Sequence, residues 1–209
     1  MSRSHGSADV APSPLLDSPD RYGLVSRALH WGMAALFAWQ FAGMGIKLAL
    51  GRHPVSSFFV GTHYGVGTLL FVLVLLRGSW GLLSAHRRPP HRPGPLGWAA
   101  SLGHLAIYAL MVVVPSLALL RQYGSGRAFA PFGIPLWEAH EAKIPALVEA
   151  GNAAHGELAW FLLAVVAGHV AMVVIHRFAL GHDVLPRMAG RLGAPLPAPS
   201  PEGAAAARR

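Results

Sequence analysis

Two histidines bracket the segment HGELAWFLLAVVAGH, at positions 155 and 169, with an apolar run between them. Imidazole can ligate a metal, carry a proton or hydrogen-bond at either nitrogen. In a hydrocarbon-like segment its nitrogens still need partners, so an ionisable group there marks a functional site. The two positions are 14 residues apart, about four helical turns, so both rings leave nearly the same face, ~21 Å apart along the axis. Two metal centres stacked across a membrane, one near each surface, need about that separation. Each ring then needs a partner at its own depth on another segment.

The elements that would supply those partners follow from composition. The chain has 209 residues, 53% hydrophobic and 12% charged, about half the charged fraction of a soluble domain. About 20 apolar residues cross a ~30 Å hydrocarbon core as a helix. Four stretches meet that length: 28–50, 57–76, 97–120 and 156–178. The expected fold is an all-α membrane protein, a four-helix transmembrane bundle over 21–192, in contact with lipid. Residues 1–20 and the Pro/Ala-rich 193–209 read as disordered tails. The polar first 20 residues do not read as a cleavable signal peptide.

Charge sets the expected orientation. The net charge is +8, and with the N-terminus inside, 12 of the 17 Lys and Arg fall on the cytoplasmic side. Lys47, Arg52, Arg121, Arg127 and Lys143 fall outside, partly offset by Glu138, Glu141, Glu149 and Glu157. The bias puts both termini in the cytoplasm and accounts for most of the net charge. It argues against a nucleic-acid partner, since no basic stretch is interleaved with exposed aromatics. There is no cysteine, which excludes disulfides, thiolate metal sites and covalent c-type haem attachment.

With this topology the depths match. His30, in RALHWGM, lies in the first turns of the first helix at the inner level, as does His169. His63, in GTHYGVG, lies about two turns below the outer end of the second helix, level with His155. Two imidazoles on facing helices give the N–Fe–N axis of a b-type haem, so the pairs His30/His169 and His63/His155 predict two haems. Gly65 and Gly67, and Gly43, Gly45 and Gly168 on the other helices, permit close approach of a flat macrocycle or another helix. Two other readings stand beside this one: interhelical hydrogen bonding without a cofactor, and a proton relay through histidine and Glu157. A relay needs polar groups between the layers, and the residues there are Leu, Val, Phe and Ala.

His5, His53, His86, His91, His140 and His182 lie in tails or loops beside Arg, Pro or Glu and read as solvated. His104, near the inner third of the third helix, has no second histidine expected to face it and reads as a packing or hydrogen-bonding residue. His176, seven residues beyond His169, belongs at the cytoplasmic surface. Arg77, Trp80 and His176 could meet haem propionates or a quinone carbonyl, Arg by pairing with carboxylate and Trp by stacking. Arg77 reads equally well as a positive-inside anchor.

The stretches RALHW, HYGVG, LLRGSWGLL leading to RRPPHRPGP, GHLAIYALMVVVP, the FG of the outer loop, HGELAWFLLAVVAGHVAMVVIHRF and DVLPRM together resemble the bacterial cytochrome b561 family. The similarity spans about 21–192, and the histidine pattern and DVLPRM are its specific parts. It implies a di-haem b protein of the bacterial inner membrane that exchanges electrons with quinone. The family's ligand positions match His30, His63, His155 and His169. The family commonly carries a Lys–Ser pair after the second-helix histidine. Here Tyr64 and Gly65 stand there, so a role resting on that lysine's charge is not carried over.

The expected function is electron transfer between the extracytoplasmic side and membrane quinone. The resemblance makes superoxide a candidate donor and the chain a superoxide:quinone oxidoreductase. The alternatives are a quinol-oxidising carrier, a membrane arm serving a partner oxidoreductase, and a haem-free anchor or transporter subunit. No catalytic side chain is assigned.

Overall fold

The computed structural model describes residues 13–89, 94–179, 181 and 183–190. Four long helices carry it: α1 (Leu24–Leu50), α2 (Pro54–Leu83), α3 (Pro95–Gly124) and α4 (Pro145–Phe178). A short α5 (Leu185–Ala189) follows. All four long helices are long and apolar enough to cross a membrane. No strand forms among the described residues; one isolated antiparallel bridge joins Phe129 and Trp137 in the loop between α3 and α4. The tails at 1–12 and 193–209 lie outside the described residues.

The helix ends explain their own positions. Proline starts α2, α3 and α4, where its missing N–H removes nothing the helix would use. The His53 ring accepts from the Val55 amide, and the Ser56 hydroxyl accepts from the His53 amide, so α2 begins with both orphan donors satisfied. Pro115 inside α3 removes one i→i−4 bond, and the adjacent Ser116 hydroxyl donates to the Val112 carbonyl at 2.8 Å.

α4 starts 11 residues before the apolar run expected at 156. Its first three turns, PALVEAGNAAH, are rich in helix-forming residues and too polar to register as a span. They pack on the C-terminal end of α3 instead. A Cβ at Gly151 would sit 2.8 Å from the Leu117 carbonyl oxygen, so only glycine lets the two backbones cross this closely. At 34 residues, α4 is ~51 Å long and outruns a ~30 Å hydrocarbon core.

The bundle is two antiparallel hairpins. α1 packs along α2 and α3 along α4, while α2 meets α3 more sparsely. They close on each other at mid-height, where Met33, Leu70, Val74, Met111 and Leu162 form one buried apolar cluster. Leu162 and Val74 are the most enclosed, each 2% exposed. This plug, contributed by all four helices, separates the two ends.

At the α1 N-terminal end, residues 13–20 depart from the expected tail. They turn back on the bundle, and the Asp17 side chain is fully buried. Its carboxylate accepts from the Gly23 amide at 2.8 Å, the Ser26 hydroxyl at 2.9 Å and Arg88 Nε at 3.1 Å. Ser26 in turn accepts from Trp80 Nε1. α5 closes over the same end, its backbone carbonyls taking Arg27 and Trp31 donors.

Candidate functional site

The four expected histidines sort to the two ends of the plug. At one end, His63 on α2 and His155 on α4 face each other, ring centres 6.1 Å apart and planes at 86°. His155 Nδ1 donates to the Val114 carbonyl at 2.9 Å, which fixes the proton on Nδ1 and leaves the Nε2 lone pair free. His63 Nδ1 is buried without a hydrogen-bond partner. The two rings line one cavity together with Gln40, Gly67, Arg121, Gln122 and Phe129.

Gln40 is 9% exposed and donates to the His63 carbonyl at 2.9 Å. It buttresses the turn that carries His63, a role the sequence reading missed. An amide inside an apolar helix was the available signal. The loop after α3 covers this end. Phe129 is 6% exposed, and the Phe132 ring comes within 3.2 Å of where a Cβ on Gly65 would sit. Phe132 holds φ 55° and ψ 26°, the left-handed region that costs a non-glycine residue roughly 1–2 kcal/mol. That strain seats its ring against α2.

At the other end stands a group of three histidines. His30 on α1 accepts at Nδ1 from an Arg77 guanidinium N–H at 2.7 Å, and Arg77 Nε donates to the Tyr108 hydroxyl at 2.9 Å. His169 on α4 has the His104 ring of α3 against it, centres 5.1 Å apart and planes at 76°. The expectation that no histidine faces His104 is therefore corrected. The hydrogen bond expected of it is present, from its Nδ1 to the Ala100 carbonyl at 2.7 Å. His176 Nδ1 is buried without a partner beyond this group. Arg77 is engaged with His30 and Tyr108 rather than standing free as a surface anchor.

A family model described as prokaryotic cytochrome b561 matches residues 21–191. The chain belongs to that family. Among curated relatives, cytochrome b561 homolog 2 of Escherichia coli K12 is 29% identical over 84% of this chain and 94% of its own. Cytochrome b561 homolog 1 of the same organism is 27% identical over 82% and 98%. A Yersinia pestis protein named "Probable superoxide oxidase CybB" is 23% identical over 80% and 95%. Membership makes the chain a multi-pass membrane protein of electron transfer and implies b-type haem.

The donor set can be tested against that group. Two imidazole nitrogens each about 2 Å from a shared metal put the ring centres roughly 6 Å apart, allowing about 1 Å from each nitrogen to its ring centre. His63 and His155, at 6.1 Å, fit. The hydrogen bond from His155 to Val114 is the contact that fixes a ligating histidine's tautomer. His30 and His169 fit by type and depth, with one condition. A neutral imidazole has one ring lone pair, so His30 ligates through Nε2 only when Arg77 withdraws from Nδ1.

Proposed function

We propose that this cytochrome b561 carries electrons through two b haems between the extracytoplasmic face of a bacterial inner membrane and quinone, with superoxide as donor. His63 and His155 hold the outer haem, and His30 and His169 the inner one. The observation that carries this reading is the 6.1 Å facing pair His63/His155, separated from a second histidine group by an apolar plug drawn from all four helices.

Bound haem b supplies a one-electron iron couple. The protein contributes three things. Met33, Leu70, Val74, Met111 and Leu162 exclude water between the sites, which blocks proton leakage while leaving a short path for electrons. Phe129, which lines the cavity, shields the outer pair from bulky reductants. Arg121 lines the outer cavity, so one of the five outer bases stands where a small anion would arrive. The sum balances: two superoxide ions each lose one electron and leave as dioxygen, and one quinone gains two electrons and two protons. At the inner end Arg77, once released from His30, is the cation for a haem carboxylate.

The test is a reduced-minus-oxidised spectrum of the purified protein with haem and protein quantified together. About two b haems per chain is the expected result. Absence of a Soret band would overturn the reading in favour of a haem-free anchor. Reduction by quinol or a partner protein, with superoxide reacting no faster than it dismutates, would replace the donor.

A further inference from the structure

The inner end holds one more imidazole than two-point ligation of a haem uses. His104 donates Nδ1–H to the Ala100 carbonyl. A carbonyl can only accept, so this bond fixes the tautomer and leaves Nε2 as a bare lone pair. His104 is itself exposed at the bundle surface, and the ring beside its own is His169, centres 5.1 Å apart.

The separation distinguishes two roles. Two imidazoles joined by an N–H···N hydrogen bond have centres roughly 5 Å apart, from about 3 Å between nitrogens and about 1 Å on each side. Two that share an iron have centres roughly 6 Å apart. The outer pair, at 6.1 Å, matches the shared metal. The His104/His169 pair, at 5.1 Å with planes at 76°, is too close for a shared metal; the rings meet edge to face, close enough that a ring rotation would bring an N–H···N bond within reach. The two rings come from neighbouring helices of the same hairpin, the pair in closest contact, so their approach is set by the scaffold.

We propose that His104 is a positioning residue for the inner haem: its Nε2 accepts the Nδ1–H of His169, fixing that ring's orientation and tautomer and raising its basicity as a ligand. The proposal rests on the haem reading above. An acceptor on the distal nitrogen gives a ligating histidine more imidazolate character. A more basic ligand favours the ferric state and holds the potential down. The chain of contacts is Ala100 carbonyl, His104, His169, then iron. It gives the inner haem an acceptor from a third helix. His155 obtains the same support directly from the Val114 backbone carbonyl.

The experiment compares wild type, His104→Phe and His104→Gln, each purified as the full haem-loaded chain, by redox titration and low-temperature EPR. Phenylalanine keeps a ring of similar size with no acceptor, and glutamine offers an amide oxygen to the same N–H. The expected result for His104→Phe is wild-type haem content, an inner-haem potential shifted upward, an altered inner low-spin EPR signal and an unchanged outer haem. His104→Gln should shift the inner potential in the same direction by less. If the phenylalanine variant does not fold, His104→Leu, which also lacks an acceptor, takes its place and should show the same upward shift. Unchanged inner potential and EPR signal in the variant that lacks an acceptor overturn the proposal. Loss of the inner haem in both would overturn it in the other direction, making His104 a ligand. A wild type without haem would instead sink the reading on which the proposal rests, so the two failures are distinguishable.

Discussion

Replacing Asp17 by Ala should release residues 13–23 from the bundle. Its carboxylate is fully buried and accepts three hydrogen bonds, from the Gly23 amide, the Ser26 hydroxyl and Arg88. Hydrogen bonds to a charged group contribute roughly 1.5–3 kcal/mol each, and removing one partner of a buried ion pair costs about 3–5 kcal/mol. These figures overlap and do not add. The Arg88 side chain is 27% exposed, so it can turn to water, and Ser26 keeps its bond from Trp80. The low end therefore applies, about 3 kcal/mol. The loss falls on the docking of one segment, so it raises local opening roughly 150-fold, while the apolar bundle holds. Hydrogen–deuterium exchange in detergent, followed on peptides spanning 13–27, measures this directly. Peptides from α3 and α4 serve as the internal control. A rise below tenfold would refute the claim that this carboxylate anchors the segment, and an equal rise across α3 would show that the effect is global.

The remaining predictions concern the site and its sidedness. His63→Ala or His155→Ala should remove one haem of two and leave the inner one, while His30→Ala or His169→Ala should do the reverse; a cross-pattern in the haem spectra would break the pairing. A reporter fused at the C-terminus should be active only in its cytoplasmic form and one inserted near Gly126 only in its exported form, and the opposite result would invert inner and outer. Stopped-flow reduction by superoxide should slow with salt. Reversing Arg121 to Glu changes the attraction by about 1 kcal/mol unscreened at roughly 8 Å. Screening at physiological salt cuts that to a loss of about twofold, with a smaller loss for Arg127→Glu because Arg127 bonds Ser125 in the loop. Equal losses at the two positions would count against steering at the cavity mouth.

Much of this molecule is legible in its sequence because the bilayer imposes a length. An apolar run long enough to span has few alternatives to a helix, since every backbone donor must find a partner inside the segment. Four such runs gave four helices, α1 to α4, with the expected cores and longer ends. Position along a helix fixes depth, so the levels of His30, His63, His155 and His169 followed from counting residues. What counting could not give is rotation and local packing. Whether His104 faces lipid or His169 depends on how α3 turns about its axis against α4, which the packing of the whole hairpin decides. Asp17 lay in a segment whose Ser, Pro and Asp composition reads as disorder. Its burial depends on Ser26 and Arg88, and Arg88 lies 71 residues away. The strained turn at Phe132 is held by Gly65 on another helix. Of the five bases expected outside, Arg121 lines the cavity, beside the close approach of α3 to α4 that Gly151 permits. Depth is a one-dimensional property that hydropathy encodes. Which side chains meet at a given depth is decided by side-chain packing across four helices, and only the tertiary structure contains it.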